Sequence, residues 1–250
     1  MLNFRRHGRG PALVFQHGYL GGNSLWNPQL TFFSRMFDVI IPDAPGYAGS
    51  AGEPVAETID EMAEANFALL DHLGIDDFCL VGHSMGGMIV QEMAAQQERR
   101  IRKLVLYGTA CSGKMPRRFE TFEETANSVR QDGLEAMGRR IGKTWFVEGE
   151  DAPNYWLCQN SGNGTTLEAA LAGLRAMPAW DGSDRLGNLS MPVMVMGGDR
   201  DRSYSLDEMV HLYRSIPNAR LGLLPHCAHN AHLEKPDLFN QILADFLLET

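Results

Sequence analysis

The sequence Gly-His-Ser-Met-Gly at residues 82–86 stands between an apolar run and a helical pattern, with Ser84 at its centre. Glycines two residues to either side of a serine allow the chain to turn sharply from strand to helix and leave the hydroxyl exposed. The start of the helix also offers backbone N–H groups and positive potential to a developing oxyanion. The pattern predicts a nucleophile at Ser84; the alternative is a glycine-rich turn that binds an anion.

A serine hydroxyl needs an adjacent general base at neutral pH, and three histidines near the end of the chain are candidates. His226, His229 and His232 follow the apolar run Arg220–Leu224. Loops at the carboxyl ends of parallel strands face one crevice, so a histidine of this loop can reach Ser84. The spacing does not select among the three. A metal site is the alternative, but it would need further ligands and would leave the serine motif unexplained.

A carboxylate that fixes the histidine tautomer would complete the set. Asp199 and Asp201 both follow the apolar run at 193–196, one strand before the histidine loop. At least one of them must be a helix cap or a turn residue. Near the start of the chain, a glycine-rich loop at 17–22 follows another apolar run and can supply an oxyanion N–H beside that of Met85. Phosphate binding is the alternative for this loop, although neither common phosphate-loop motif is present.

The elements that must position these residues alternate between short apolar runs and longer amphipathic ones, which is typical of a parallel sheet with helices on both faces. Strands are predicted at 12–16, 37–41, 78–81, 103–107, 193–196 and 220–224. Helices are predicted at 58–73, 85–97 and 236–248, the first opening with a capping box of Thr58 and Glu61. Residues 112–184 contain only helix-like pieces, at 119–131, 133–142 and 167–175, and are interpreted as an inserted helical subdomain.

Composition excludes several classes of function. Lys and Arg number 22 and Asp and Glu 31, so the formal net charge is 22 − 31 = −9, which disfavours a nucleic-acid surface. No run approaches the roughly 18 apolar residues of a membrane span, and no apolar stretch follows the basic N-terminus, so neither membrane insertion nor a signal peptide is expected. The four cysteines lack CxxC spacing. We expect reduced thiols and a cytoplasmic protein.

The sequence resembles the α/β-hydrolase family over almost its whole length. The matching segments are His17-Gly18, Trp26, Gln29, 42–50, 82–86, 198–201 and 229–236. The resemblance implies an α/β fold, a doubly wound and mostly parallel sheet with a helical cap inserted after the sixth strand. The core would comprise 1–111 and 185–250, and the cap 112–184. It further implies that Ser84, Asp201 and His229 are the catalytic residues, with the backbone N–H groups of Tyr19 and Met85 as oxyanion hole; Asp199 would then be structural.

The sequence departs from the family pattern in two places near these residues. Ala228 replaces the usual glycine before the histidine, and no proline follows Asp201 at the usual offset. Within the family, a serine rather than an aspartate nucleophile disfavours dehalogenases and epoxide hydrolases. The loop typical of meta-cleavage hydrolases is absent, and the stretch 170–186 is more similar to carboxylesterases and enol-lactone hydrolases.

The resemblance therefore implies a serine hydrolase that cleaves a small or medium carboxylic ester or lactone without a cofactor. A carbon–carbon bond hydrolase or perhydrolase with the same residues is one alternative, and a non-catalytic ligand-binding member of the fold is another. Oligomeric state stays open. The substrate pocket is predicted to involve the aromatic residues of the cap, although such residues are more often core: Trp145, Phe146, Tyr155, Trp156 and Trp180. Arg139 and Arg140 could hold a substrate carboxylate or belong to a solvated face.

Overall fold

A computed structural model describes residues 1–115, 118, 120–159 and 162–249. Seven short strands form its sheet: β1 (Phe4–Gly8), β2 (Ala12–Gln16), β3 (Asp38–Pro42), β4 (Phe78–His83), β5 (Ile101–Tyr107), β6 (Val193–Gly198) and β7 (Arg220–Leu224). Strands β2 and β4 are buried along their whole length, as expected of parallel strands that are covered on both faces. The α/β fold predicted from the sequence is confirmed.

The sheet order is β1-β3-β2-β4-β5-β6-β7, and only β1 runs antiparallel to its neighbour. From β2 the chain first adds β3 on one side and then returns to place β4 on the other. The order therefore reverses between β2 and β4, and a ligand crevice is expected at the carboxyl ends of such strands. The loops that carry Gly18 and Ser84 follow these two strands.

Helices flank the sheet: α1 (Asn27–Phe33), α2 (Ile59–His72), α3 (Met85–Gln97), α4 (Phe122–Gly142), α5 (Leu167–Ala179), α6 (Leu206–Ser215), α7 (Ala231–Glu234) and α8 (Pro236–Leu248). Thr58 caps α2 by accepting the Glu61 N–H, as predicted. The reciprocal half of the predicted capping box is absent, since the Glu61 carboxylate accepts the N–H of Glu57 instead. Among the described residues, no helix combines the length and the apolar character that a membrane span requires.

Side chains alternate between the two faces of the sheet and form two buried clusters. One face packs Val14, Leu80 and Leu104 against α2 and α3. The other packs Phe15 and Val105 against α1 and α8. With both faces covered, most residues of the apolar runs that predicted the strands lie in the core; β7, with Leu221 and Leu223 half-buried, is the exception.

The described residues of 112–184 hold α4, α5 and four short 3₁₀ turns or their parts, and no strand of the sheet. The two ends of this segment pair with each other, because Gly113 N–H donates to Trp180 O (3.1 Å) and Gly182 N–H to Cys111 O (2.9 Å). The resemblance implied that the segment follows the sixth strand. It follows the fifth strand, β5, because a single strand, the antiparallel β1, precedes β2. Within α4, Gly133 has a non-helical backbone conformation (φ 81°, ψ 165°), so two helices meet there at a kink, where the sequence predicted a break between two helical pieces. The predicted start at Phe119 lies outside the described residues, and the division into core and cap stays a prediction.

Candidate active site

Ser84 occupies the turn between β4 and α3 with a backbone conformation that side chains rarely adopt (φ 58°, ψ −122°). The turn is held on both sides. Ser84 N–H donates to Tyr107 O (3.0 Å), and its own carbonyl accepts the Gly87 N–H (2.8 Å) and the Thr109 hydroxyl (3.0 Å). Such strain persists only where surrounding contacts fix it, and here it presents the serine side chain to a cavity.

Glycine is required around this turn by close approach of the backbone. A Cβ on Gly86 would lie 2.5 Å from the carbonyl oxygens of both Gln16 and His17, and a Cβ on Gly18 would lie 2.8 Å from Cβ of Ser84. The loop after β2 is thereby brought against the serine. Its N–H groups can reach the cavity only because these two positions carry no side chain.

Asp201 and His229 form a buried pair at the carboxyl ends of β6 and β7. The Asp201 Oδ2 lies 2.8 Å from His229 Nδ1, and the two side chains are almost wholly buried. The other oxygen, Oδ1, accepts the N–H groups of Ser203 (2.7 Å) and Tyr204 (3.1 Å). A carboxylate only accepts, so Nδ1 carries the proton and Nε2 of His229 is left as an acceptor. His229 lines the same cavity as Ser84.

The imidazole of His229 is fixed by residues that the sequence did not indicate. The backbone carbonyl of His229 accepts hydrogen bonds from the Tyr107 hydroxyl (2.9 Å) and from His83 Nε2–H (3.1 Å). The His83 ring packs against it at 4.5 Å, and the fully buried Tyr204 ring stacks on it at 5.8 Å. Tyr204 directly precedes Ser205, the N-cap of α6. The residue before an N-cap is often apolar and packs on the helix, so this position was the sequence signal for Tyr204.

The structure separates the three candidate histidines and the two candidate aspartates by position. His226 is exposed, and His232 is buried with Nδ1 3.0 Å from the Tyr107 hydroxyl. Asp199 accepts the Cys227 N–H (3.2 Å), a contact between the loops that follow β6 and β7. Only Asp201 and His229 pair with each other. Among the described residues, no three His, Cys, Asp or Glu side chains converge as metal ligands.

Two backbone amides are placed to receive an oxyanion. Met85 N–H stands at the first position of α3, where no intrahelical acceptor exists, and Tyr19 follows Gly18 in the loop packed on Ser84. In the described parts of the chain neither amide donates to another residue. His17 is buried beneath this loop, with Nε2 accepting the Ala44 N–H (2.9 Å) and Nδ1 2.8 Å from Gly18 O. These contacts give His17 a structural place under the loop.

Burial keeps the other histidines around the site neutral. It lowers the pKa of His17 and the pKa of His83, with the positive potential of His229 and His232 adding to the effect at His83. Burial also lowers the pKa of His232, to about 3. Burial, with the Asp201 charge, raises the pKa of the Tyr204 phenol, so this hydroxyl stays protonated.

The cavity in front of Ser84 is lined by loops from four strand ends and by residues of the segment 112–184. Besides Ser84 and His229, the lining residues are Gly18, Tyr19, Leu25, His83, Met115, Arg118, Ile141, Trp145, Met177, Arg202, Ser203 and Asn230. Of the five aromatic residues predicted to bind substrate, only Trp145 belongs to this wall.

The other four aromatic predictions are corrected by their surroundings. Phe146 and Tyr155 pack on each other (5.5 Å, edge to face) in a small core of their own. Trp156 is 61% exposed on the surface. Trp180 is buried and donates its indole N–H to Glu92 (3.0 Å). Two of these residues, Tyr155 and Trp156, lie in a 3₁₀ turn, which is too short for a sequence period to show which side faces the cavity.

Of the two interpretations given for the cap arginines, the structure agrees with the solvated face. Arg139 and Arg140 lie on the surface of α4, where they pair with Glu135 and Glu120. The cavity instead contains Arg118, which no sequence pattern indicated. Its position depends on contacts to residues that follow it in the chain, and these contacts become visible only in the folded segment.

Residues 11–236 match the family model of the alpha/beta hydrolase fold. The chain therefore belongs to the α/β-hydrolase family and is a hydrolase of that fold, which confirms the resemblance seen in the sequence. It is 30% identical to the 2-hydroxy-6-oxo-6-phenylhexa-2,4-dienoate hydrolase of Burkholderia cepacia, over 99% of this chain and 92% of that one. It is 29% identical to 3-oxoadipate enol-lactonase 2 of Acinetobacter baylyi, over 96% and 90%. The crystal structure of the enol-lactonase from Burkholderia xenovorans LB400 superposes with a TM-score of 0.88 at 25% identity, over 99% and 96%.

Proposed function

We propose that this protein is a serine hydrolase that cleaves a carboxylic ester or lactone of a small to medium organic molecule through an acyl-enzyme. The carrying observation is that strained Ser84 and the buried Asp201–His229 pair face one cavity. A serine, a histidine with a free acceptor nitrogen and a carboxylate on the opposite ring nitrogen are the parts that acyl transfer requires.

The proposed reaction begins when Ser84 Oγ attacks the carbonyl carbon and its proton passes to His229 Nε2. The carbonyl oxygen becomes an oxyanion between the N–H groups of Tyr19 and Met85. The bond to the leaving oxygen then breaks, and His229 returns the proton to that oxygen. Water then attacks the acyl carbon while its proton passes to His229; the acyl–serine bond breaks, His229 returns the proton to Ser84 Oγ, and the acid product leaves.

We further propose that residues 112–184 form a cap over this site. Five of the cavity residues come from that segment, and its two ends are paired next to the sheet. The lining residues it contributes are mostly apolar: Met115, Arg118, Ile141, Trp145 and Met177. The cap would therefore decide which acyl or alcohol group is accepted, while the loops of the sheet carry out the chemistry.

The similarity to enol-lactonases supports cleavage of a carbon–oxygen bond. The similarity to a dienoate hydrolase, at 30% identity, supports the alternative of carbon–carbon hydrolysis with the same three residues. Product analysis separates the two, because an ester or lactone releases an alcohol or enol with the acid, whereas carbon–carbon cleavage of a vinylogous diketone releases a shortened enol and an acid.

The test compares Ser84→Ala with the parent protein on esters of varied acyl length, lactones and vinylogous diketones. Ser84→Ala should remain folded and lose roughly 10⁴-fold or more in kcat, because the acyl-enzyme cannot form. Ser203→Ala is the matched control: Ser203 lines the same cavity but helps Asp201 only through its backbone N–H, which the variant keeps. Retention of most ester hydrolysis in Ser84→Ala contradicts the proposal. Absence of turnover on every substrate favours a ligand-binding protein instead.

A further inference from the structure

Arg118 is the half-buried cation of the cavity wall. Its Nη1 donates to Glu120 O (3.0 Å) and to Thr125 Oγ1 (2.8 Å), and its guanidinium lies over the Phe122 ring at 4.6 Å. These contacts fix one edge and one face of the group. Arginine has five N–H donors, and in the part of the chain that the structure describes Nε and Nη2 have no acceptor.

The nearest acidic side chain is already neutralised by another arginine. Arg140 binds both oxygens of Glu120 (2.6 and 3.2 Å), and the Thr125 hydroxyl donates to the same carboxylate (2.6 Å). No described carboxylate lies within the 4.0 Å of an ion pair with Arg118. The charge of Glu120 acts on Arg118 without a direct ion pair, and the Nε and Nη2 edge of the guanidinium, which faces no described acceptor, can take an anion from outside the chain.

The rest of the wall defines what the counter-ion is attached to. Leu25, Ile141 and Met177 are apolar and face the same space as Ser84. The second cation of the wall, Arg202, is exposed, so water screens its charge more than that of Arg118. A ligand that satisfies all of these groups has an apolar body, a scissile carbonyl and an anionic end.

We propose that the substrate carries a carboxylate, which Arg118 binds through Nε and Nη2 while the ester or lactone lies at Ser84. This proposal rests on the function proposed above. A planar carboxylate matches the fork of the guanidinium, and such charge-assisted pairs are the stronger hydrogen bonds in proteins. Arg118 thus selects substrates with an acidic end, and neutral esters of the same length are poorer substrates.

The kinetic test uses methyl hydrogen adipate and dimethyl adipate, which present the same methyl ester and differ in the charge of the far end. The parent protein should show the higher kcat/KM on the acid ester. Arg118→Gln should lower kcat/KM on the acid ester by roughly 10- to 100-fold, mainly through KM, and change the neutral ester little. Arg118→Lys keeps the positive charge but loses the planar pair of N–H donors, so its kcat/KM on the acid ester should lie between those of the parent and Arg118→Gln.

Arg139→Gln is the matched control, because this arginine is exposed on α4 and pairs with Glu135. It should leave both esters unchanged. Equal activity of the parent on the two esters contradicts the proposal. An equal loss on both esters in Arg118→Gln does so as well, because it would indicate a structural role for Arg118.

A binding measurement separates this proposal from the proposed function. Isothermal titration with hexanoate and with hexanamide needs no catalysis, and the parent should bind hexanoate more tightly by roughly 10-fold or more, an excess that Arg118→Gln removes. If no ester or lactone of the panel is cleaved, the proposed function fails, while this titration still decides on Arg118. Hexanoate affinity that does not change in Arg118→Gln overturns the carboxylate site.

Discussion

His232 links the stability of the fold to pH at the loop that carries His229. Its side chain is fully buried, and burial lowers its pKa from 6.5 to about 3, with the positive potential of His229 as a further cause. In the unfolded chain it regains the ordinary pKa. As the pH falls from about 6.5 to 3, His232 is therefore protonated in the unfolded state and stays neutral in the folded state. The stability is fully present above pH 6.5 and is lost below it.

The size of the effect follows from the two pKa values. Over the whole window the linkage relation gives about 5 kcal/mol for this one residue. Between pH 7.5 and pH 5 it gives about 2 kcal/mol. His17 and His83, whose pKa values burial also lowers, add to the loss in the same direction. A fold of ordinary stability is thus expected to weaken substantially by pH 5.

The assay is urea unfolding at pH 7.5, 6 and 5 for the parent and for His232→Gln. The variant loses the contact of His232 with Tyr107 and should be less stable at pH 7.5, but its free energy of unfolding should fall by about 2 kcal/mol less than that of the parent on going to pH 5. His72→Gln, on the exposed end of α2, is the control for loss of a histidine and should follow the parent. Identical pH dependence in the parent and His232→Gln refutes the reasoning.

Two further substitutions test the site and its support. Asp201→Asn should lower kcat roughly 10⁴-fold, because the amide donates toward His229 Nδ1 and forces the proton onto Nε2; steady-state ester hydrolysis measures this. Glu92→Gln should lower the free energy of unfolding in urea by about 1–3 kcal/mol, because the buried carboxylate accepts the Trp180 indole N–H and one Arg185 N–H (2.7 Å).

Each of these two substitutions has a control in the same fold. Asp199→Asn alters a carboxylate that contacts Cys227 and not His229, and it should keep most of the kcat. Glu64→Gln alters an exposed carboxylate on α2 and should stay within about 0.5 kcal/mol of the parent. A kcat loss as large in Asp199→Asn as in Asp201→Asn would contradict the assignment of the pair, and an unchanged stability in Glu92→Gln would contradict the role of its buried contacts.

The regular elements of the core were predictable from the sequence. Strands β2 and β7 and helices α3 and α8 have the predicted bounds. Strand β4 extends two residues beyond the predicted apolar run, because Gly82 and His83 still pair with Leu106 and Tyr107 of β5. Helix α6 was not predicted, although the capping box of Ser205 and Glu208 and the buried Met209 and Leu212 on one side are signals that the sequence carries.

The site was predictable where motifs fix the backbone and not where side chains meet by tertiary packing. The motif around Ser84 requires a particular turn, so its position was readable. The pairing of Asp201 with His229 followed only from family resemblance, because spacing left three histidines and two aspartates open. Arg118 could not be found at all, since it lies outside any regular element and its exposure to the cavity depends on its contacts with Phe122 and Thr125 of α4.

The central claim is that Ser84 is an activated nucleophile, and covalent labelling tests it most directly. The folded protein is treated with a fluorophosphonate probe, and the modified peptide is located by mass spectrometry, with Ser84→Ala and Ser203→Ala in parallel. We predict one adduct, on Ser84, present in the parent and Ser203→Ala and absent from Ser84→Ala. A folded parent protein that forms no adduct, or an adduct that persists in Ser84→Ala, would contradict the account.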